Sequence, residues 1–303
     1  MNEPVRTNHR DHFLLGLIGA GIGRSASPPL HEAEGDALGL RCLYQLIDLD
    51  ELGRPAEAVG ELLGEARRMG FAGVNVTHPC KQLALAHLDE LSPTTRALGA
   101  TNTVVFEDGR AVGYNTDRSG FSRSFELGLA GAPLERAVLL GAGGAGTAVA
   151  HAALSLGVGE LTVIDRDEER AARLAHALAE HFGTERVVAG DRDSLEHHFA
   201  DADGLIHATP TGMASHPGVP IPLELLRREM WVADIVYMPL ETALLRYARE
   251  LGCRTLDGGR MAVFQAAASF ELFTGRKPDA ERMLRHFAAL SLGADRSNGQ
   301  QQR

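Results

Sequence analysis

The sequence predicts an α/β protein with mostly parallel sheets, and three observations lead to that fold class. Short runs rich in apolar and β-branched residues alternate with amphipathic helical segments along almost the whole chain. A glycine-rich run, GAGGAG at 141–146, follows one strand-like run and precedes an alanine-rich segment. With 303 residues, the chain is long enough for two domains of ordinary size.

The predicted elements follow one another as strand–helix units. Strands are predicted at 13–18, 42–47, 73–77, 102–106, 137–140, 161–165, 186–189, 204–208, 232–236 and 254–256. Helices lie between most of them, with examples at 52–69, 144–156, 168–182, 242–251 and 260–273. A glycine-containing stretch at 120–135 precedes a fresh strand–turn–helix unit and is therefore the best internal boundary.

Composition limits the classes of partner. A net charge of −10 and a pI near 5.7 argue against a nucleic-acid-binding surface, which needs clustered Lys and Arg. Three cysteines without close pairing predict reduced thiols in a cytoplasmic protein; they are Cys42, Cys80 and Cys253. No signal peptide, membrane helix or metal-ligand spacing is recognisable. We therefore expect a small-molecule substrate, no metal, no membrane or nucleic-acid partner, and either a monomer or a homodimer.

The glycine-rich run carries the first functional prediction. In GAGGAG, Gly141 permits a tight turn, Gly143 lets a pyrophosphate approach the backbone, and Gly146 permits close helix–strand packing. Ala142, Gly144 and Ala145 complete the loop, and the N-terminus of the following helix stabilises negative charge. The pattern predicts a dinucleotide-binding domain of the Rossmann type. The alternative is a glycine-rich turn that binds no nucleotide.

The second strand of that unit ends at Asp165, 24 residues after Gly141. A carboxylate there can accept hydrogen bonds from the adenine-ribose hydroxyls and would repel a 2′-phosphate, which predicts NAD rather than NADP. Arg166 and Arg170 follow closely and leave a 2′-phosphate partner open. Arg166 can also stack over the adenine or remain solvated.

Polar residues follow several predicted strands of the first half, at the strand ends where α/β proteins build their sites. Asn75 and Thr77 are two residues apart, which places both on one face of a strand. Ser27 precedes Pro28 and fits a helix N-cap, but two hydroxyls at this turn could also bind a carboxylate. The full set is Ser25, Ser27, Asn75, Thr77, Lys81, Asn102, Asn115 and Asp117.

Lys81 and Asp117 suggest a reaction. A nicotinamide enzyme that oxidises an alcohol needs a group that removes the hydroxyl proton as hydride leaves carbon. A lysine can do so from its neutral form, and a neighbouring aspartate can orient it and relay the proton.

These segments together resemble the shikimate dehydrogenase family. The resemblance spans about 14–290 and rests on SASP at 25–28, GVNVTHPCK at 73–81, GATNTVV at 99–105, NTD at 115–117, GAGGAG at 141–146, ATPTGM at 208–213, DIVYMP at 234–239 and GGRMAVFQAAASFELFTG at 258–275. It implies a substrate domain at 1–117, an NAD-binding Rossmann domain at 118–257, and a C-terminal helical segment at 258–303 that returns to the first domain. We expect the polar tail from 294 to be disordered.

The resemblance also implies roles for individual residues. Lys81 and Asp117 would form the catalytic pair at the C3 hydroxyl, while Ser25 and Ser27 would bind the substrate carboxylate. The ring hydroxyls would be bound by Asn75, Thr77, Asn102 and Gln265, and Tyr237 would line the pocket. Beyond the glycine-rich loop, the residues expected at the cofactor are Asp165, Arg166, Arg170, Thr209, Met213, Val236 and Gly259.

Within this family the sequence favours the NAD-dependent quinate/shikimate dehydrogenases. Asp165-Arg166-Asp167 stands where NADP-dependent members usually carry Asn-Arg followed by Ser or Thr. Two alternatives within the class are an NADP-dependent shikimate dehydrogenase of aromatic amino-acid biosynthesis and an aminoshikimate enzyme. A non-catalytic NAD-binding regulator is the alternative from another class, against which the intact Lys81 and Asp117 argue.

Overall fold

The computed structural model describes residues 11–301, with side chains described through residue 290. Its first half forms a six-stranded mixed sheet. The strands are β1 (His12–Gly19), β2 (Arg41–Asp48), β3 (Gly73–Val76), β4 (Glu90–Leu91), β5 (Thr103–Glu107) and β6 (Arg110–Tyr114), in the order β2-β1-β3-β5-β6-β4. β1 is parallel to β2 and β3, whereas β5 is antiparallel to β3 and β6.

The second half forms a six-stranded sheet in which every pair is parallel. Its strands are β7 (Arg136–Leu140), β8 (Glu160–Ile164), β9 (Val187–Ala189), β10 (Gly204–His207), β11 (Trp231–Asp234) and β12 (Arg254–Leu256). They lie in the order β12-β11-β10-β7-β8-β9, so the winding direction reverses between β7 and β10. Ligands of such sheets bind at this reversal, beyond the carboxyl ends of the strands.

Helices cover both sheets and connect them. They are α1 (Ser27–Ala37), α2 (Leu49–Leu52), α3 (Val59–Arg68), α4 (Pro93–Leu98), α5 (Asp117–Gly128), α6 (Gly144–Ser155), α7 (Glu168–Phe182), α8 (Leu195–Ala200), α9 (Ala243–Leu251), α10 (Gly258–Thr274) and α11 (Ala280–Gln301). The α/β class predicted from the alternating pattern is confirmed. Among the residues that the structure describes, no helix is both long and apolar enough to cross a bilayer.

α10 packs against both halves of the molecule. Near its start, Met261 joins the apolar cluster under the second sheet. Further along, Phe270 and Phe273 pack with Leu15 and Tyr44 of the first sheet. α11 then packs Met283 and Phe287 against α1 and α10. The C-terminal segment therefore contacts the first sheet, which apolar periodicity alone could not show.

Two predicted elements were wrong. The helix predicted at 52–69 begins instead at Val59, because Gly53 ends α2 in a left-handed conformation and Pro55 is extended. Residues 294–301 of the tail predicted to be disordered belong to α11, which extends to Gln301, and residues 302 and 303 lie outside the described residues. No proline follows Pro278 to interrupt that helix.

Candidate active site

Lys81 and Asp117 form an ion pair at the carboxyl edge of the first sheet. β3 ends at Val76, a turn through His78-Pro79 follows, and Lys81 comes directly after the turn. Asp117 begins α5, just beyond the end of β6. The Lys81 Nζ lies 2.5 Å from Asp117 Oδ2, and the two side chains are only 15% and 8% exposed. The shielded amine is thereby held in one orientation by a charge-assisted hydrogen bond.

Asn102 fixes the other oxygen of the same carboxylate. Its Nδ2 donates to Asp117 Oδ1 at 2.9 Å and lies 2.9 Å from the Thr116 hydroxyl. Its Oδ1 accepts the backbone N–H of Thr116 at 2.7 Å. Asn102 is the residue before β5, and these bonds connect it to the start of α5. They also orient the Asp117 carboxylate.

Asn75 is 6% exposed and is hydrogen-bonded to the Asn102 segment. Its Nδ2 donates to the Asn102 carbonyl at 3.2 Å and to the Thr103 hydroxyl at 3.0 Å. Its Oδ1 accepts the hydroxyl of Tyr44 at 2.7 Å. Tyr44 was not among the predicted site residues. The signal was present in RCLYQLID, where the alternation of β2 places this phenol on the buried face.

The two predicted carboxylate-binding serines lie together at the start of α1. Ser27 was expected as a possible N-cap, but it is the first residue of the helix and Ala26 is the cap, without a side-chain capping bond. Proline at the next positions suits the first turn, where backbone N–H groups lack helical acceptors. Ser25 Oγ accepts the Ser27 N–H at 3.2 Å, and the buried His31 ring lies 2.9 Å from the Ser27 carbonyl.

Of the remaining predicted substrate residues, Gln265 lies beside the cluster around Asn102. Gln265 of α10 has its Oε1 3.5 Å from Asn102 Nδ2, so the C-terminal segment contributes to the cluster. Burial raises the pKa of the Tyr237 phenol, and the negative charge of Asp117 raises it further. Thr77 follows β3, and its methyl packs against Gly19 at the end of β1.

The glycine-rich loop has the backbone shape that a dinucleotide needs. Gly141 is left-handed, with φ of 102°. A Cβ at Gly146 would collide with the Gly141 carbonyl oxygen, whereas a Cβ at Gly143 would meet nothing within 4 Å. The helix therefore packs closely on the turn, and its open N-terminus leaves room for a pyrophosphate. The residues present fit the pyrophosphate of a dinucleotide cofactor.

Lys81 connects the two halves of the site. A Cβ added at Gly144, the first residue of α6, would lie 3.4 Å from the Lys81 Cδ. The lysine stem thus lies against the helix that begins at the glycine-rich loop. The segment that follows β3 in the first sheet and the segment that follows β7 in the second sheet therefore meet at this point.

The predicted adenine end of the cofactor site is tied to the same loop. Asp165 Oδ2 accepts the Ala142 N–H at 2.7 Å, and its Oδ1 accepts the Asp167 N–H at 3.0 Å. Asp167 caps α7 by accepting the Arg170 N–H, and its Oδ2 lies 3.7 Å from Arg170 Nε. Arg166 is exposed to solvent.

The predicted nicotinamide-end residues lie beyond β10 and β11 and at the start of α10. The Val236 N–H donates to Asp234 at 3.0 Å, and the Gly259 N–H donates to Asp257 at 2.9 Å. Met213 is 38% exposed in the turn after Thr209.

A buried polar network that the sequence analysis missed supports this end of the site. His207 Nδ1 lies 2.9 Å from Asp234 Oδ1, and its Nε2 lies 2.5 Å from the Thr209 hydroxyl. Thr242 donates to Asp234 Oδ2 at 2.7 Å. The His207 and Asp234 side chains are 0% exposed, so the network orders the segments after both strands. A histidine inside the apolar run GLIHA was the signal.

Three protein-family models match the chain. The model described as the shikimate dehydrogenase substrate binding domain matches 17–104, and the shikimate 5′-dehydrogenase C-terminal domain matches 259–286. Between them, 137–215 matches the saccharopine dehydrogenase NADP binding domain. The three matches follow the first sheet, the C-terminal helices and the parallel sheet, respectively.

Whole-chain comparisons agree with these models. A shikimate dehydrogenase (NADP(+)) from Streptomyces avermitilis is 62% identical over 93% of this chain and 97% of its own length. A quinate/shikimate dehydrogenase (NAD(+)) from Corynebacterium efficiens is 49% identical over 93% of this chain and 100% of its own. The structure of quinate dehydrogenase from Corynebacterium glutamicum in complex with NAD superimposes with a TM-score of 0.86 at 47% identity, covering 92% of this chain and 99% of that one.

Proposed function

The chain belongs to the shikimate dehydrogenase family, whose members are NAD(P)-dependent oxidoreductases, and we propose that it interconverts quinate with 3-dehydroquinate and shikimate with 3-dehydroshikimate, using NAD. The observation that carries the proposal is the shielded Lys81–Asp117 ion pair, whose lysine lies against the first residue of α6. It brings a proton-transferring group next to the predicted cofactor loop.

The nicotinamide ring of the bound cofactor would accept hydride from C3 of the acid, or return it in the reverse reaction. Lys81 transfers the proton that accompanies the hydride. In the reducing direction its ammonium group donates a proton to the C3 oxygen, and in the oxidising direction the neutral amine removes it. Asp117 stabilises the ammonium form and orients Nζ, while Asn102 fixes the carboxylate.

The substrate would lie between the first sheet and α10. We assign the carboxylate to Ser25 and Ser27, and the ring hydroxyls to Asn75, Thr77, Asn102 and Gln265, with Tyr237 as a wall of the pocket. The proximity of Gln265 and Asn102, 3.5 Å apart, supports a single pocket shared by the first sheet and α10. Residues 1–117 together with 258–303 would thus form the substrate-binding half.

NAD is the proposed cofactor because two carboxylates gather where the adenine ribose would bind. Asp165 is held beneath the glycine-rich loop by the Ala142 N–H, so its charge would face a 2′-phosphate. Arg170 is paired with Asp167, which weakens its ability to offset that repulsion. We place Gly141–Gly146 on the pyrophosphate and Thr209, Met213, Val236 and Gly259 at the nicotinamide end.

A second candidate is NADP-dependent reduction of 3-dehydroshikimate. It is favoured by the name of the relative at 62% identity and by the exposed Arg166, which could bind a 2′-phosphate.

Initial rates decide between the two candidates. Quinate and shikimate would each be assayed with NAD and with NADP, following absorbance of the reduced nicotinamide. We expect turnover of both acids with NAD and little with NADP. A clear NADP preference with shikimate alone would support the second candidate, and no turnover in any combination would contradict both.

A further inference from the structure

Thr103 is a fully buried threonine whose hydroxyl lies between two of the proposed substrate-binding amides. It stands in β5 directly opposite Asn75 of β3, so the two side chains share one face of the sheet. Asn75 Nδ2 and Asn102 Oδ1 each lie 3.0 Å from the Thr103 hydroxyl oxygen. Because threonine is β-branched, its χ1 angle is restricted, and the strand itself sets the direction of the hydroxyl.

The neighbouring groups determine the direction of both hydrogen bonds. Asn102 presents its Oδ1 to Thr103, because that atom also accepts the backbone N–H of Thr116 at 2.7 Å while Nδ2 donates to Asp117. Asn75 presents its Nδ2, which also donates to the Asn102 carbonyl at 3.2 Å. An amide oxygen only accepts and an amide NH₂ only donates, so the Thr103 hydroxyl accepts from Asn75 and donates to Asn102. The Thr116 hydroxyl is more distant, at 3.4 Å.

These bonds give each amide a fixed orientation. Asn75 donates both Nδ2 hydrogens within the protein, so only its Oδ1 remains to meet a ring hydroxyl, as an acceptor. Asn102 keeps its Nδ2 on Asp117 Oδ1, and the other oxygen of that carboxylate holds Lys81 Nζ at 2.5 Å. A continuous chain of hydrogen bonds therefore runs from Asn75 through the Thr103 hydroxyl to the Lys81 amine.

We propose that Thr103 is a positioning residue, whose hydroxyl fixes Asn75 as an acceptor for a substrate hydroxyl and holds Asn102 against the Asp117 carboxylate. The proposal rests on the function proposed above. In this role Thr103 acts through the two amides and need not touch the acid. Without its hydroxyl, one Nδ2 hydrogen of Asn75 would be buried without an acceptor, and Asn102 Oδ1 would lose one of its donors. Neither amide would then be held in one orientation.

Thr103→Val tests the role, because valine keeps the shape of threonine and removes only the hydroxyl. We expect KM for shikimate or quinate to rise about fivefold through Asn75, the loss typical of one hydrogen bond. The turnover number should fall about fivefold through Asn102. KM for NAD should stay within about twofold, since the network lies in the first sheet.

Thr95→Val is the matched control. Thr95 is also 0% exposed, and its hydroxyl lies 2.9 Å from that of Ser92 in the first turn of α4, outside this network. It should leave all three constants unchanged. Unchanged constants for the acid in Thr103→Val would overturn the proposal, and so would an equal rise in KM for NAD, which indicates a general structural defect.

A second pair of variants isolates the hydroxyl if Thr103→Val does not fold, which thermal unfolding shows. Thr103→Ser and Thr103→Ala both lack the methyl group, and they differ from each other only in the hydroxyl. We expect the serine variant to keep kcat/KM for the acid within about threefold of the wild type and the alanine variant to lose at least about tenfold. Equal losses in the two variants would refute the positioning role.

Wild-type turnover separates this proposal from the function on which it rests. If the wild-type protein turns over either acid and the hydroxyl-free variants match it, only the role of Thr103 is refuted. If the wild-type protein turns over neither acid with NAD or NADP, the proposed function itself is refuted.

Discussion

Lys81 is the residue on which the proposed chemistry depends most directly. We expect Lys81→Ala to lower the turnover number by about 10²- to 10⁴-fold, the usual contribution of a general acid–base group. Binding of NAD, measured by quenching or calorimetry, should persist because the glycine-rich loop is untouched. Lys277→Ala is the matched control, because Lys277 is the only other lysine in the sequence and is exposed to solvent. It should leave the turnover number unchanged. Undiminished turnover in Lys81→Ala would contradict the mechanism.

Asp165 is the residue on which the cofactor preference depends. Asp165→Asn removes the charge and keeps an oxygen that can accept the Ala142 N–H. We expect kcat/KM with NADP to rise about tenfold, as one unfavourable charge contact near the 2′-phosphate is removed. Initial rates with both cofactors measure it. Unaltered preference would show that the discrimination lies elsewhere, with Arg166 the next residue to substitute.

His31 should make stability depend on pH. Burial lowers its pKa to about 4, although its bond to the Ser27 carbonyl acts in the opposite direction. The unfolded chain takes up this proton near pH 6.5 and the folded chain only near 4, so stability falls as pH falls between those values. The expected loss from pH 7 to 5 is about 2 kcal/mol.

Thermal unfolding of His31→Gln at both pH values checks this prediction. The pH slope should become shallower in this variant but not vanish, because burial also lowers the pKa of His151 to about 4. Substitution of the exposed His176 should leave the slope as in the wild type. An equal slope in His31→Gln and wild type would contradict the assignment.

At this scale, the sequence revealed the residues with obvious chemistry and missed those that hold them. Lys81, Asp117 and Asn102 were predicted together, and Lys81 and Asn102 both donate hydrogen bonds to the Asp117 carboxylate. Tyr44 was missed because it looks like an ordinary member of the buried face of β2, and His31 was missed because nothing in SPPLHEAEGDA indicates that its ring is buried. Their partners come from other elements, and pairing across the fold is invisible to local periodicity.

Among the elements, the turn from β7 into α6 contains one glycine on which stability depends and another on which cofactor binding depends. Substituting each glycine alone therefore tests the two effects separately. Gly146→Ala should lower the unfolding midpoint, because its Cβ would collide with the Gly141 carbonyl. Gly143→Ala should leave the midpoint nearly unchanged, since its Cβ would meet open space and its φ of −77° suits alanine. We nevertheless expect KM for NAD to rise at least about tenfold, because that space is needed by the pyrophosphate.

Thermal unfolding and NAD titration of the two variants check this pair. Normal NAD binding by Gly143→Ala would mean that the pyrophosphate does not approach this turn. A stable Gly146→Ala would mean that α6 can move away from the strand.

Element boundaries were predictable where turn-forming residues stand directly next to the element in the sequence. β7, α6 and β8 begin and end within one residue of their predicted positions. The predicted helix at 52–69 started too early, because its apolar spacing continues through Gly53 and Pro55. Those two residues are the local signal that should have outweighed periodicity.

For the whole molecule, the return of α10 and α11 is the feature that local patterns could not establish. It is secured by Glu34 of α1, whose 1% exposed carboxylate forms two hydrogen bonds with Arg282 of α11 at 2.6 and 2.8 Å. The Asp279 N–H donates to the same carboxylate at 2.7 Å. Glu34 therefore ties the last helix to the helix that begins with Ser27.

Removal of Arg282 should loosen this connection, because it leaves a buried carboxylate without its counter-charge. We expect Arg282→Ala to lower the unfolding midpoint by several degrees and to raise KM for the acid more than KM for NAD. Arg285→Ala, an exposed arginine three residues later, is the matched control and should do neither. The double variant Glu34→Leu/Arg282→Leu removes both charges and should recover stability, since apolar pairs can replace buried ion pairs. If Arg282→Ala raised both KM values equally, α11 would stabilise the molecule without positioning the proposed carboxylate site.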